Sequence, residues 1–457
     1  MLLAAHRLQV ARPMKGSIVS RSAGTLACAC ACACSDGSLH ALGTVASDRS
    51  TGRTSTTVGP PATDAAIVST PPLSNASICS RGMPRNGAEV WRQSFGENDA
   101  LTLSSVASDP DGAAFIAWAG GETFKVAPGG GIAWSKSFGS LVATDRHGNA
   151  YVAGTFAGTL DLQTCTLVAN SGSDVYVVKL DTSGAILDCT ALGGEGEDTV
   201  TGLAVGPDGN PVVSALGLGT VKLSAGRPLW TSELAGHVAV DSQGSVLVTG
   251  ALTGRVVLRS ERLESAGGED IFVIKLDADG DYVFGLRFGD AGLAQHGDAV
   301  TIDPWDNVFV SGVFDGSVDF GGGVLTVSTR SCPAETWCEQ AGFVAKFDSA
   351  GRHLWSRTRT PVRSLSGIAS DSHGNVLVSG AYPGNVPPYR LPLLIEFDSA
   401  GNDVVRSERL ETGSSTDAGV GHGVAFDPCD NALWSLSLPP APNANARSFL
   451  AKLAPTP

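Results

Sequence analysis

The residues of this sequence that could do chemistry are acidic side chains, two histidines, an arginine and a tryptophan in Gly-rich stretches between apolar runs. Grouped carboxylates with histidines can bind a divalent cation or transfer protons. Trp337 is the aromatic residue that we expect to be exposed to a ligand. We treat the whole set as ligand-binding candidates, the alternative being that acidic loops are simply solvated. The candidates are Glu195, Glu197, Asp198, Asp290, His296, Asp298, Arg330, Trp337, Asp417 and His422.

No catalytic motif accompanies these candidates. Residues 86–457 contain no Gly-x-Ser-x-Gly elbow, no Gly-rich phosphate loop and no His-Glu-x-x-His pair. The segment 277–281 alternates aspartates like the start of a calcium loop, but its twelfth position is Phe288 instead of glutamate. We therefore interpret it as a turn and predict no catalytic residue, no metal and no cofactor, with calcium kept as the alternative.

Composition and charge exclude further classes of protein. The formal charge is −14 and the pI is about 5.0, whereas nucleic-acid binding needs clustered Lys and Arg. No apolar run reaches the roughly 18 residues of a membrane helix. Abundant Gly (57 of 457) between short Val, Leu and Phe runs indicates an all-β fold.

The first 85 residues differ from the rest. Residues 1–34 carry positive charges and then a weakly apolar stretch with an alternating Ala/Cys run, which resembles a secretion signal. Leu26-Ala27-Cys28 resembles the end of a bacterial lipobox, so Cys28 is a lipidation candidate; a low-complexity extension without any address is the alternative. Residues 35–85 are rich in Ser, Thr and Pro and predict a flexible linker, and we expect the leader to be disordered.

Cys332 and Cys338 bracket a short insert in a long loop, which predicts a disulfide and an oxidising compartment. The pairing of Cys79, Cys165, Cys189 and Cys429 is left open by the sequence.

One turn motif recurs seven times from residue 86 onward. In each copy an apolar run ends at Asp (once Gly), and Gly, Asn or Asp three residues later provides a left-handed residue before the next apolar run. Each copy therefore predicts a tight turn between two strands, here called a and b. The turns begin at Asp109, Asp145, Gly206, Asp241, Asp303, Asp371 and Asp427.

A second turn between strands c and d follows, and Trp lies four residues after its Gly in four units, at Trp91, Trp134, Trp230 and Trp355. Four strands per unit and seven units predict a seven-bladed β-propeller over residues 86–457. The repeats start with a spare d strand near Trp91 and end without one, so we expect the N-terminal d strand to complete the last blade and close the ring.

These turn and tryptophan motifs resemble the bacterial seven-bladed β-propeller (SBBP) repeat and its NHL-like relatives. The resemblance implies an exported, extracytoplasmic cell-surface protein of the lipoprotein type. In such a fold the a–b and c–d turns form one face, the turn face, and the b–c and d–a connections form the other, the loop face. The candidate residues lie on the loop face.

We expect a monomeric, non-catalytic scaffold that binds a protein or a polysaccharide through this loop face. A carbohydrate-active hydrolase or lyase with an acidic and histidine site at the channel mouth is one alternative. A purely structural surface component is the other.

Overall fold

The computed structural model describes Cys79 and residues 87–95, 103–119, 121–258, 261–291, 294–327, 340–383, 390–404, 419–438 and 447–456. In these residues the chain forms β-strands joined by turns. None of them belongs to a helix with the length and hydrophobicity that a membrane span requires.

Seven four-stranded antiparallel sheets follow one another along the chain, each meandering from strand a to strand d. After β1 (Glu89–Phe95), blade 1 contains β2 (Leu103–Ser108), β3 (Ala114–Trp118), β4 (Glu122–Val126) and β5 (Ile132–Lys136). Blade 2 contains β6 (Leu141–Thr144), β7 (Ala150–Asp161), β8 (Thr166–Leu180) and β9 (Ile186–Leu192), and β10 (Glu195–Glu197) pairs with β8 in parallel. Blade 3 contains β11 (Thr199–Val205), β12 (Pro211–Leu216), β13 (Gly219–Ser224) and β14 (Arg227–Ser232).

The later blades carry insertions. Blade 4 contains β15 (His237–Val240), β16 (Val246–Leu252), the inserted hairpin β17 (Arg255–Leu258) and β18 (Glu261–Glu264), then β19 (Asp270–Leu276) and β20 (Tyr282–Phe288). Blade 5 contains β21 (Gln295–Ile302), β22 (Val308–Phe314), the inserted hairpin β23 (Ser317–Asp319) and β24 (Val324–Thr326), then β25 (Gln340–Phe347) and β26 (His353–Val362). Blade 6 contains β27 (Ser364–Ser370), β28 (Val376–Pro383), β29 (Arg390–Phe397) and β30 (Asp403–Val404). Blade 7 contains β31 (Val420–Phe426), β32 (Ala432–Leu438) and β33 (Arg447–Leu453).

The ring closes through the two ends of the repeat region. β1 pairs antiparallel with β33, from Phe95 opposite Ser448 to Glu89 opposite Leu453, and so supplies the fourth strand of blade 7. Each inner a strand contacts the a strand of the next blade, and β31 contacts β2. The predicted seven-bladed β-propeller, with its N-terminal strand completing the last blade, is confirmed.

The core lies between blades. Most buried hydrophobic residues of the described chain fall into seven clusters, one at each junction of consecutive blades, including the junction of blade 7 with blade 1. The b strands are covered on both faces, which is why β3 reads as the unbroken buried run from Ala114 to Trp118. Each blade therefore depends on its two neighbours for its hydrophobic contacts.

The a–b turns fold as the sequence motif predicts. Asp109 Oδ1 accepts the N–H groups of Asp111 and Ala113 at 3.1 and 2.9 Å, and Gly112 takes a φ of 79°. Blade 3 has Gly206 at the first position, and Asp208 instead accepts the N–H of Asn210 at 3.1 Å. The turn geometry thus survives the change of residue.

Among the described residues two disulfides are formed, Cys79–Cys429 and Cys165–Cys189. The first attaches the segment before β1 to the a–b turn of blade 7, and the second lies within blade 2. The predicted Cys332–Cys338 bond, Cys28 and the leader lie outside the described residues.

Candidate functional site

Buried and half-buried lysines hold the turns of the turn face. In six blades a lysine near the end of strand c lies with its Nζ 2.5 to 3.6 Å from an a–b turn carboxylate. The pairs are Lys125–Asp109, Lys179–Asp145, Lys222–Asp208, Lys275–Asp241, Lys346–Asp303 and Lys452–Asp427. In blade 6 this position is Glu396, which is buried. The recurring Lys before Val, Leu or Phe in strand c could have identified these pairs from the sequence.

On the loop face, Glu195, Glu197 and Asp198 lie between blades 2 and 3. The expected loop at 193–198 contains the short strand β10, because residues 195–197 pair with Ser171 to Ser173 of β8. Ser173 Oγ donates to Glu197 Oε2 at 2.7 Å, while Glu195 is exposed. Two of the three candidates are therefore engaged in holding the loop.

Asp198 meets a carboxylate that sequence reasoning missed, Asp174. A Cβ placed on Gly193 would lie 2.3 Å from Asp174 Oδ1 and 2.7 Å from Asp198 Oδ2, so both acids border the same glycine. Burial raises the pKa of Asp198; the N–H of Gly194 opposes this, and the charges of Asp174 and Glu197 add to it. Two such acids can share a proton or hold a cation. The signal for Asp174 was its place five residues before the strand-c lysine, where blade 4 has Asp270.

Asp290 and His296 lie near the junction of blades 4 and 5 but have different partners. Asp290 Oδ2 accepts the N–H and the hydroxyl of Ser317 at 3.1 and 3.0 Å, which anchors the inserted hairpin of blade 5. His296 Nε2 lies 3.0 Å from Glu269 Oε2. The loop-face carboxylates here mainly bind neighbouring loops.

Asp298 lies at a bulge of the innermost strand of blade 5, between the paired residues Gly297 and Ala299. Burial raises its pKa to about 7, although a hydrogen bond from the Leu365 backbone of blade 6 opposes the shift. His422, in the inner strand of blade 7, has its pKa lowered to about 4 by burial, and its Nε2 lies 2.8 Å from Ser437 Oγ. His296 has its partner just before β19 of blade 4 and His422 has its partner within blade 7, so these contacts do not bring the two histidines together.

Arg330, Trp337 and Asp417 lie outside the described residues, so their positions relative to the other candidates remain predictions.

Extended b–c connections give the loop face an apolar component. The hairpins of blades 2, 4 and 5 and the end of strand b in blade 3 each expose one aliphatic side chain. Val168, Leu216, Val257 and Val324 are 63, 57, 49 and 66% exposed. Sequence reasoning treated two of these inserts, within 253–269 and 314–342, as irregular loops. Alternating buried positions such as Leu263 and Val318 explain why they form strands.

On the turn face, the turns of blades 6 and 7 bring together Asp371, His373 and Asp430, whose ligand atoms lie within 4.8 Å of one another. Among the described residues this is the group of at least three acidic or histidine side chains whose ligand atoms are close enough to hold one metal ion. Asp430 also accepts the N–H and hydroxyl of Ser372 at 3.0 and 2.7 Å. Because the cluster joins turns from two repeats, Asp430 lies 57 and 59 residues after His373 and Asp371 in the sequence.

The aspartate-rich segment 277–281 behaves as a turn. Asp277 Oδ1 accepts the N–H groups of Asp279 and Asp281 at 3.0 and 2.8 Å, and Gly280 has a φ of 84°. This is the same capping that the other c–d turns use, for example Asp348 with Ala350 and Arg352.

The chain is similar to several proteins of solved structure. No family model matches the chain, and no curated protein matches it. BamB from Moraxella catarrhalis is 14% identical over 80% of this chain and 99% of its own, with a TM-score of 0.41. The C-terminal WD40 domain of Sif2 is 11% identical over 81% of this chain and 99% of its own, with a TM-score of 0.43. A protein of unknown function from Bacteroides caccae is 14% identical over 59% of this chain and 85% of its own, with a TM-score of 0.35.

Proposed function

We propose that this protein is a non-catalytic scaffold that binds a protein or a polysaccharide partner through its loop face. One observation carries the proposal: the b–c connections of blades 2 to 5 present Val168, Leu216, Val257 and Val324 to solvent. Apolar side chains that successive blades of a rigid scaffold expose on one face are typical of interaction surfaces. Glu195 and the neighbouring acidic residues would form a polar rim around them.

The closed ring supports this function. β1 and the Cys79–Cys429 bond hold the last blade, and the junction clusters fix each blade against its neighbours. A rigid framework lowers the ordering entropy that binding costs, so a modest exposed surface can hold a partner. The hydrogen bonds of Asp290 to Ser317 and of Glu197 to Ser173 agree with loops that are held in place before a partner binds.

A photo-crosslinking amino acid at Val257 of the full chain tests the proposal. The crosslinker is applied to intact bacterial cells, their surface fraction and a panel of cell-wall polysaccharides. We expect a defined adduct that weakens at least tenfold when Val324→Glu is added. The matched control carries the crosslinker at Leu229, which is similarly exposed but lies on an outer d strand. Equal adducts from both positions, or none from Val257, would contradict the loop-face assignment.

A carbohydrate-active enzyme is the second candidate, and Asp298 is the observation that favours it. A carboxylic acid with a pKa of about 7 can donate and accept protons near neutral pH. Turnover of a glycan panel by the wild-type chain that disappears in Asp298→Asn would establish this candidate. Binding without turnover across the panel would remove it.

We further propose an extracytoplasmic location and membership of the SBBP-like propellers. Two disulfides support an oxidising compartment. A fusion of residues 1–34 to a reporter that is active only outside the cytoplasm tests export, and loss of lipid labelling in Cys28→Ala tests the anchor.

A further inference from the structure

In six blades the outer strand has one position opposite the strand-c lysine, here called the aromatic position; in blade 6, Val404 lies opposite Glu396 instead. Five blades place a large ring there, and the strand register shows that the positions are equivalent. The pairs are Trp91 with Lys452, Trp134 with Lys125, Trp230 with Lys222, Phe284 with Lys275, and Trp355 with Lys346. In blade 2 the residue opposite Lys179 is Asp188.

At the five filled positions the ring packs on the c–d turn of the next blade. A Cβ on the turn glycine would lie 2.7 to 3.1 Å from the ring atoms, as for Gly280 beside Trp230 at 2.8 Å. The four indoles also donate Nε1–H to the carbonyl two residues before that glycine, at 2.8 to 3.3 Å. The ring therefore fills the outer part of the blade junction and ties one blade to the next.

At the junction of blades 2 and 3 the ring is missing. A Cβ placed on the turn glycine Gly226 would lie 2.8 Å from Asp188 Oδ2. The carboxylate is smaller than an indole and therefore fills only the space nearest that glycine. Beyond it lies a cavity of about 270 Å³, bordered by Tyr151, Lys179, Pro211 and Leu223. Pockets for drug-sized ligands measure roughly 300–1,000 Å³, so this cavity suits a single side chain better.

The walls of the cavity match those that surround an indole elsewhere in the ring. Tyr151 pairs with Lys179 as Phe115 pairs with Lys125, and Phe115 packs edge-on against Trp134 with centroids 5.7 Å apart. Blade 5 repeats this arrangement with Phe309 and Trp355 at 5.8 Å. The aromatic neighbour is thus present at the cavity while the ring it would contact is not.

We propose that this cavity is a socket for the tryptophan side chain of a partner protein. Tryptophan is the residue that the fold itself uses in four equivalent positions, and it is also a frequent anchor of protein interfaces. In the described part of the chain, Asp188 makes no ion pair and accepts the N–H of Cys189 at 2.9 Å, which leaves acceptor capacity for an indole N–H. The chain's charge of −14 favours a partner with Lys or Arg beside that tryptophan.

The socket lies on the turn face, among the a–b turns at Arg146 and Asn210, and so goes beyond the loop-face function. Its test uses the full chain and N-acetyl-5-fluorotryptophan amide, followed by ¹⁹F NMR. We expect saturable line broadening with the wild-type chain. Asp188→Trp and Asp188→Phe place the chain's own ring in the socket and should weaken probe binding at least tenfold. The matched control Leu187→Trp adds an indole at the exposed neighbouring position and should leave binding unchanged.

Thermal unfolding and two further probes complete the test. Asp188→Trp and Asp188→Phe should both melt at or above the wild-type temperature, because Phe284 and the four tryptophans already occupy the equivalent junctions. If one of these variants fails to fold, probe binding by the other variant tests the proposal. Val257→Glu with Val324→Glu should leave probe binding intact, which separates the socket from the loop face. The proposal is overturned by an absence of binding, by equal binding to both filling variants, or by stronger binding of N-acetyl-argininamide than of the indole probe.

Discussion

Cys79 and Cys429 are joined by a disulfide across 350 residues of sequence, from the segment before β1 to the a–b turn of blade 7. β1 enters blade 7 only ten residues after Cys79. The covalent bond and the strand pairing therefore close the same ring at the same blade.

Removal of this bond should destabilise the propeller more than removal of the second disulfide. The chain-entropy relation gives about 5 kcal/mol or more for a loop of this length and about 3 kcal/mol for the loop of Cys165–Cys189. We expect the double variant Cys79→Ser, Cys429→Ser to lose about 2 kcal/mol more unfolding free energy than Cys165→Ser, Cys189→Ser. Guanidinium unfolding without reductant measures both, and an equal loss would show that β1 alone closes the ring.

The buried lysine of blade 5 should be essential for folding stability. Lys346 is buried and its Nζ lies 3.0 Å from Asp303 Oδ2, so Lys346→Met would leave Asp303 as a buried charge without its cation. Breaking such a pair costs about 3–5 kcal/mol. Arg262→Met, which breaks the exposed pair with Glu264, is the control and should cost about 0–1 kcal/mol. Similar losses in urea unfolding would contradict the structural role of the buried pairs.

Close packing at the c–d turn should make Gly280 intolerant of a side chain. Gly280 and Gly254 both have positive φ, at 84 and 70°, but only at Gly280 would the new Cβ meet a ring, Trp230 at 2.8 Å. We expect Gly254→Ala to cost about 1 kcal/mol from backbone conformation alone. Gly280→Ala should cost at least about 1–3 kcal/mol more through overpacking. Equal melting temperatures of the two variants would argue against this contact.

Asp298 should make stability depend on pH. Its pKa is about 7 in the folded chain, against 3.8 as the ordinary value, so between these limits the folded chain holds a proton that the unfolded chain has released. The free energy of unfolding should therefore fall as pH rises from about 4 to 7, relative to Asp298→Asn. The lowered pKa values of His237 and His422 act in the opposite direction, and they cancel in the comparison because both proteins contain them. A constant difference across this range would exclude a raised pKa of Asp298 in the folded chain.

The features that were predictable from the sequence are those that repeat within one blade. Asp109 and Gly112 are three residues apart, and Trp230 follows Gly226 by four, so their spacing reveals turns, strands and the number of blades. Ring closure was predictable because a d strand at Trp91 stands before the first a strand. Each of these patterns lies within a short stretch of sequence and recurs in successive blades, which makes it recognisable from the sequence.

The contacts between blades were not predictable in the same way. Asp174 lies in blade 2 and Asp198 in the connection to blade 3, while Ser372 and Asp430 lie in the turns of blades 6 and 7. Nothing in the local sequence sets the separation within either pair. Asp188 was visible as an exception to the tryptophan spacing, but its consequence depends on Tyr151 and on the turn at Gly226. Only the register of the assembled strands shows that a cavity results.

The position of Cys79 also determines how the ring would carry mechanical load. A pull on the chain before Cys79 would enter the propeller at Cys429 through a covalent bond, and the seven residues of β1 would lie outside the line of force. In a reducing solution the disulfide would be broken, and the same pull would act on β1 directly. The hydrogen bonds between β1 and β33 could then break one after another. Under tension the redox state would thus decide whether the ring stays closed.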